Sequence, residues 1–176
     1  NIYTVYMSVF AVIIAVIYPF MKRYTYLPQA FLGIAFSWGI PMAFTAVSNE
    51  IANVAWLLLI ANLLWVVAYD TQYAMVDRDD DIKLGLKSTA ILFAELDRTM
   101  IATLQVLFLA TLLLVTSSIE LSVYYYLGLI GATGLFIHQH YLTWNRSREG
   151  CFKAFLSNHW AGLSVFLGIV AHYSLP

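Results

Sequence analysis

The feature that most constrains this chain is a succession of six apolar stretches, each near the length of one membrane crossing. They lie at residues 2–18, 29–47, 53–75, 99–117, 122–142 and 156–173. A helix needs about 20 mostly apolar residues to cross roughly 30 Å of hydrocarbon. The expected fold is therefore an all-α integral membrane bundle of about six transmembrane helices. Composition agrees: 61% of the residues are hydrophobic and only 11% charged, against about 45–50% and about 25% in soluble domains. A water-soluble globule of this size could not bury such an excess. A soluble enzyme, a nucleic-acid binder and a disordered chain are excluded on this ground. The single cysteine, Cys151, excludes an intramolecular disulfide framework and a cysteine-based zinc cluster. The chain opens at Asn1 within an apolar run, without an initiator Met or a charged n-region. It shows no signal-peptide pattern, and we expect it to be a piece of a longer membrane protein.

The net charge of −1 says nothing about partners, but the placement of the charges does. Lys22 and Arg23 follow the first stretch. Arg78, Lys83, Lys87 and Arg98 lie between the third and fourth, and Arg146, Arg148 and Lys153 between the fifth and sixth. The alternate connections carry only Glu50 and Glu120. Positive residues stay on the cytoplasmic side, which puts the three basic loops there. Tyr124, Tyr125 and Tyr126 at the opposite edge suit an interfacial aromatic belt. Pro41 is expected to kink the second span. Gly128, Gly131 and Gly134 are expected to let a neighbouring helix approach the fifth closely.

Chemistry concentrates after the third span, where Asp70, Asp77, Asp79, Asp80 and Asp81 supply five of the ten acids within twelve residues. If the helix continues, a step of about 100° per residue puts Asp77 about 20° to one side of Asp70 and Asp81 about 20° to the other. These three form one stripe, while Asp79 projects away and Asp80 to the flank. Asp77 and Asp81 are one turn apart, with Cβ atoms roughly 5–6 Å apart. Like charges at that spacing disfavour helix, and a divalent cation removes the penalty. Mg²⁺ takes oxygen ligands, commonly one or two carboxylates plus substrate phosphates. Asp70 lies one to two turns inside the apolar stretch, where an ionisable group usually faces a cavity or partner. Lys22, Arg23, Lys83 and Lys87 share this membrane side, and such cations hold phosphate oxygens. The plain alternative is a solvated acidic loop that binds nothing.

Residues Tyr69 to Ser88 resemble the second aspartate-rich motif of the UbiA superfamily of intramembrane aromatic prenyltransferases. Tyr18-Pro19-Phe20-Met21-Lys22-Arg23 resembles the basic loop of that family. The likeness extends through the Pro41 region and Cys151-Phe152-Lys153-Ala154-Phe155, and is greatest to the 4-hydroxybenzoate polyprenyltransferases of ubiquinone synthesis. The resemblance implies a nine-helix bundle in the bacterial inner membrane, with its active site toward the cytoplasm, and residues 1–176 as the C-terminal part of one such domain. It implies Mg²⁺-dependent transfer of a polyprenyl group from polyprenyl diphosphate to the ring of 4-hydroxybenzoate. Asp77 and Asp81 would bind the metal and act in catalysis with Arg23. Lys22, Tyr18, Asp70 and Lys87 would bind substrate, and Arg23 would also receive the carboxylate of the aromatic acid. The family's earlier NDxxDxxxD motif does not occur here, since Glu50 is the only acid before Asp70. The partner for activity would then be the N-terminal helices of the same protein, and the chain alone would be inactive.

Other polar residues are read as structural. Asn62 and Gln105 are expected to bond between helices. His138, His140, His159 and His172 show no metal-ligand register, and Cys151 reads as a reduced thiol. Arg146, Arg148 and Lys153 are expected to anchor topology and meet anionic headgroups. Tyr18, Tyr69 and Tyr73 could face a carbocation, although aromatics this frequent are more often packing. Two other functions remain open on the residues alone. One is a CDP-alcohol phosphotransferase, whose DxxxD would need an Asp-Gly where Asp70-Thr71 stands. The other is a cation transporter subunit gated by Asp70.

Overall fold

The computed structural model describes residues 1–175, and among these every regular element is helical. Helix α1 (Ile2–Ile17) is capped by Asn1, whose side-chain oxygen accepts from the Thr4 N–H at 2.9 Å. A 3₁₀ turn over Tyr18–Phe20, with Pro19 at its first turn, leads into the short α2 (Met21–Tyr24). Pro28 opens α3 (Pro28–Ser37), where its missing N–H costs nothing. Pro41 offers no N–H to the Ser37 carbonyl. The helix is accordingly interrupted at Trp38, three residues before Pro41, and resumes as α4 (Gly39–Ser48). The Trp38 indole donates to the Met7 carbonyl at 3.0 Å, fastening α1 to this break.

Helix α5 (Asn53–Lys83) is the axis of the molecule and packs against α3, α7 (Asp97–Val115) and α9 (Arg148–Ser174). Its 31 residues make a rod of about 46 Å, longer than the hydrocarbon is thick, so its acidic end clears the bilayer. It stops at a Schellman cap. Gly85 adopts φ +68°, the Gly85 N–H bonds the Ile82 carbonyl at 3.1 Å, and the Leu86 N–H bonds the Asp81 carbonyl at 2.8 Å. Ser88 then caps the short α6 (Thr89–Phe93). One buried cluster joins Ala61 of α5 to Phe108, Leu112, Leu129, Phe136 and Ala161. A second, containing Ala68, Met75, Ala90, Ile101 and Cys151, lies beneath the charged loops.

Five helical stretches are long and apolar enough to cross a membrane: Ile2–Tyr24, Pro28–Ser48, Asn53–Lys83, Thr89–Val115 and Arg148–Ser174. The sixth expected span is the 20-residue α8 (Val123–Leu142). Its tyrosines, glycines, Gln139 and two histidines make it more polar, and it is held instead by intimate packing on α9. A Cβ on Gly128 would lie 2.7 Å from the Ser164 carbonyl oxygen, and one on Gly131 would collide with the Ser164 hydroxyl. Ser164 also donates to the Gly128 carbonyl at 2.9 Å. Gly134 plays no such part, because nothing lies within 4 Å of its missing Cβ.

Polar side chains tie the spans together, as expected of Asn62 and Gln105. Asn62 donates to Ser37 Oγ at 2.9 Å, and Gln105 donates to Gln139 Oε1 at 2.8 Å. The same Gln139 oxygen accepts from Gln72 at 3.0 Å, Gln72 accepts from Asn158 at 2.8 Å, and Asn158 accepts from the Trp65 indole at 3.0 Å. An amide in lipid without a partner is costly, and this chain of amides fixes α5, α7, α8 and α9 at one relative height.

Candidate functional site

All three basic loops meet at one end of the bundle, where ion pairs cross-link them. Helix α5 continues without a break through Asp70, Asp77 and Asp81, so the acidic stripe forms as the spacing requires. Asp81 is 4% exposed, and the Lys22 ammonium stands 3.3 Å from its carboxylate. These residues are 59 apart in sequence; the short α2 turn delivers the cation to the helix end. Asp77, one turn back, is half-buried and forms no ion pair among the described residues. Asp70 lies about 10 Å further down the axis from Asp77, too far to share one small ion with it directly. It is within electrostatic range of Lys22, Asp77 and the half-buried Tyr18.

The second predicted cation arrives by backbone geometry. After the Gly85 turn, the Lys87 N–H bonds the Lys22 carbonyl at 2.8 Å. The Lys87 ammonium reaches the Tyr24 carbonyl at 3.3 Å and lies 5.3 Å above the Tyr26 ring. Buried Gln29 accepts from the Thr89 N–H at 3.0 Å, and Thr71 shares a 2.8 Å hydrogen bond with Thr89, pinning this loop to α3 and α5. Lys22, Asp77, Asp81 and Lys87 therefore gather at one end of α5, with Asp70 and Tyr18 deeper along the same helix. Arg23 sits on the same turn but is exposed and pairs with none of the acids. Lys83 faces away, 3.6 Å from Asp80.

Below the carboxylates, aromatic rings line the way into the bundle. Trp65 and Tyr69 meet edge to face at 5.6 Å, and Phe155 packs 6.0 Å from Tyr69 and 5.0 Å from Tyr73. A cavity of about 370 Å³ opens here against Phe36, Trp65, Tyr69, Phe155 and His159. Trp65 also borders a deeper apolar cavity of about 220 Å³ with Leu58, Phe108 and Ile169. Its ring occupies the space where a Cβ on Gly162 would lie, 2.6 Å away.

Among the described residues no three or more His, Cys, Asp or Glu side chains form a ready-made metal cage. The hard oxygen pair Asp77 and Asp81 fits instead a Mg²⁺ that takes the rest of its shell from phosphate and water.

Arg146 and Arg148, expected to anchor topology, also make ion pairs within the protein. Arg146 binds Asp97 at 3.0 Å, and Arg148 pairs with Asp80 while donating to the Val76 carbonyl at 2.9 Å. Asp97 itself was not singled out by sequence reasoning. It is fully buried at the start of α7 and also pairs with Arg78. The available signal was an acid at a membrane edge sharing its side with five arginines, but the partner in the α8–α9 connection lies 49 residues away.

The model of the UbiA prenyltransferase family matches residues 1–164, and the chain belongs to this family. It is 61% identical over 175 residues to the 4-hydroxybenzoate octaprenyltransferase of Pseudomonas putida (strain W619), covering 99% of this chain and 59% of that protein. It is 57% identical over 169 residues to the enzyme of the same name from Marinobacter nauticus, covering 96% and 58%. The chain thus spans less than two thirds of the length of the curated relatives it matches. Among solved structures, the apo structure of a UbiA homolog from Aeropyrum pernix K1 superposes with a TM-score of 0.80 at 23% identity, over 97% of this chain and 64% of that one. That likeness supports the all-helical fold, and the protein is an integral membrane protein.

Proposed function

We propose that this protein serves in Mg²⁺-dependent transfer of a polyprenyl group from polyprenyl diphosphate to the ring of 4-hydroxybenzoate, in ubiquinone synthesis. Its surroundings would be the bacterial inner membrane and its lipid, with the active site toward the cytoplasm and residues 1–176 belonging to one transmembrane domain. The observation that carries this reading is the meeting of Lys22 with Asp81, beside Asp77 and above an aromatic-lined cavity. The relatives' name supplies the substrate class, and the family match leaves the phosphotransferase and transporter readings with nothing in their favour.

Asp77 and Asp81 would hold Mg²⁺, which when bound offsets the charge that grows on the diphosphate as it leaves. Lys22 would exchange its contact with Asp81 for a phosphate oxygen, and Lys87, on the adjoining loop, would be a second phosphate contact. Asp70, deeper in the stripe, would orient Lys22 and Tyr18 rather than join the metal. Arg23, left free on the same turn, would take the carboxylate of the aromatic acid. The allylic C1–O bond breaks, the ring carbon ortho to the hydroxyl forms the new C–C bond, and the ring proton departs. Cationic character at C1 would sit against Tyr69, Tyr73 and Trp65, each worth roughly 0.5–2 kcal/mol. Burial within the bilayer keeps water from capturing it.

The test is transfer of a polyprenyl chain to labelled 4-hydroxybenzoate by the full-length protein in membranes, with Mg²⁺ and with EDTA. Loss of transfer in Asp77→Ala and in Asp81→Ala is expected. Wild-type rates in both variants would overturn the metal assignment.

A further inference from the structure

We propose that Asp97 is a positioning residue for the Asp77–Asp81 pair. Through Arg78 and Arg146 it forms one half of a brace, of which the Arg148–Asp80 pair is the other half, that holds the last turns of α5 in register. This rests on the function proposed above. Residues 77–81 read Asp-Arg-Asp-Asp-Asp, and four carboxylates within five residues repel one another and disfavour the helix that would align them. The helix nevertheless continues to Lys83, so cations must come from elsewhere. On the working face Lys22 is the one cation in an ion pair among the described residues, and it would have to be released to a substrate.

The rest of the restraint comes from the other side. Taking the midpoint of Asp77 and Asp81 as the centre of the stripe, Arg78 projects about 80° to one side and Asp80 about 80° to the other. Each flank is anchored. Arg78 pairs with Asp97, which is wholly buried and also accepts from Arg146 Nε at 3.0 and 3.1 Å and from the Arg98 N–H at 2.6 Å. Asp80 pairs with Arg148, whose Nε donates to the Val76 carbonyl at 2.9 Å. Arg146 further donates to the Glu95 carbonyl at 2.7 Å and does so at φ +50°, a left-handed backbone unusual for arginine. Rotation of the helix end would strain one flank or the other. Asp97 never meets the metal or the substrates; it fixes which way the two metal carboxylates point.

The experiment uses full-length protein with two readouts. The first is the Mg²⁺ concentration giving half-maximal transfer. Asp97→Ala and Asp97→Asn should raise it about tenfold, as loss of an orienting partner typically does. Asp97→Glu should restore most of the affinity, and Arg78→Ala combined with Asp97→Ala should be no worse than either alone. The second readout needs no activity: spin labels at exposed positions 24 and 79, in a Cys151→Ala background, report the distance between the basic turn and the end of α5. That distribution should be narrow in the parent and broad in Asp97→Asn. A lowered melting temperature with unchanged Mg²⁺ dependence and an unchanged distance distribution would overturn the proposal. If the parent shows no Mg²⁺-dependent transfer, the proposed function falls, and the distance measurement still decides whether Asp97 braces α5.

Discussion

Two buried carboxylates at the same membrane face are treated in opposite ways. Asp97 is inaccessible to solvent and accepts from Arg78, from Arg146 and from a backbone N–H. Asp81 is nearly as buried, yet among the described residues it pairs with Lys22 alone, at 3.3 Å, and neighbouring Asp77 has no ion pair. A charge removed from water must be compensated. Asp97 is compensated fully by the protein, which suits a fixed structural joint. Asp81 and Asp77 are compensated in part, which under the proposed function would leave lone pairs for a metal and a lysine for a diphosphate. Saturation and reserve, at one end of the bundle, distinguish the joint from the proposed working site.

The largest effect should come from the reserve side. Asp77→Ala or Asp81→Ala should abolish transfer in the labelled-substrate assay while shifting the melting temperature little. A severe melting loss in Asp81→Ala would instead make it a second structural joint. Next, Asp97→Ala should destabilise the protein by roughly 3 kcal/mol in thermal unfolding, toward the low end for a broken buried pair because both arginines reach water. A smaller effect is expected of Arg23→Ala, which should raise KM for 4-hydroxybenzoate about tenfold with its melting temperature unchanged; an unaltered KM would remove Arg23 from the aromatic acid. Least of all, Asp79→Ala, on the exposed side of α5, should leave stability within about 0.5 kcal/mol and the rate unchanged. A large rate loss there would show that the whole acidic run acts, and would erase the contrast.

Local and periodic features were legible before the fold. The spans follow from apolar run length, the shared side of the basic loops from charge placement, and the Asp70–Asp77–Asp81 stripe from helical spacing. Pro41 interrupts its helix because the missing N–H acts on the preceding turn. Gly128 and Gly131 meet α9 as small residues allow. Gly134, identical in kind, meets nothing, since which glycines face a neighbour depends on how α8 is rotated. The carboxylate partners of Arg146 and Arg148 are illegible in the sequence for a similar reason. An arginine at a membrane edge satisfies headgroups and carboxylates equally well by type, and only the fold brings Asp97 and Asp80 within reach.

The sequence by itself determined that the chain is a helical membrane protein, which of its loops share a side, and that one helix carries a face of carboxylates. These follow from transfer free energies and helical pitch, which act over a few turns. Only the tertiary structure decided which acids are saturated and which are held open. Pairing across 49 or 59 residues depends on where separate helices come to rest against each other, and no local preference encodes that.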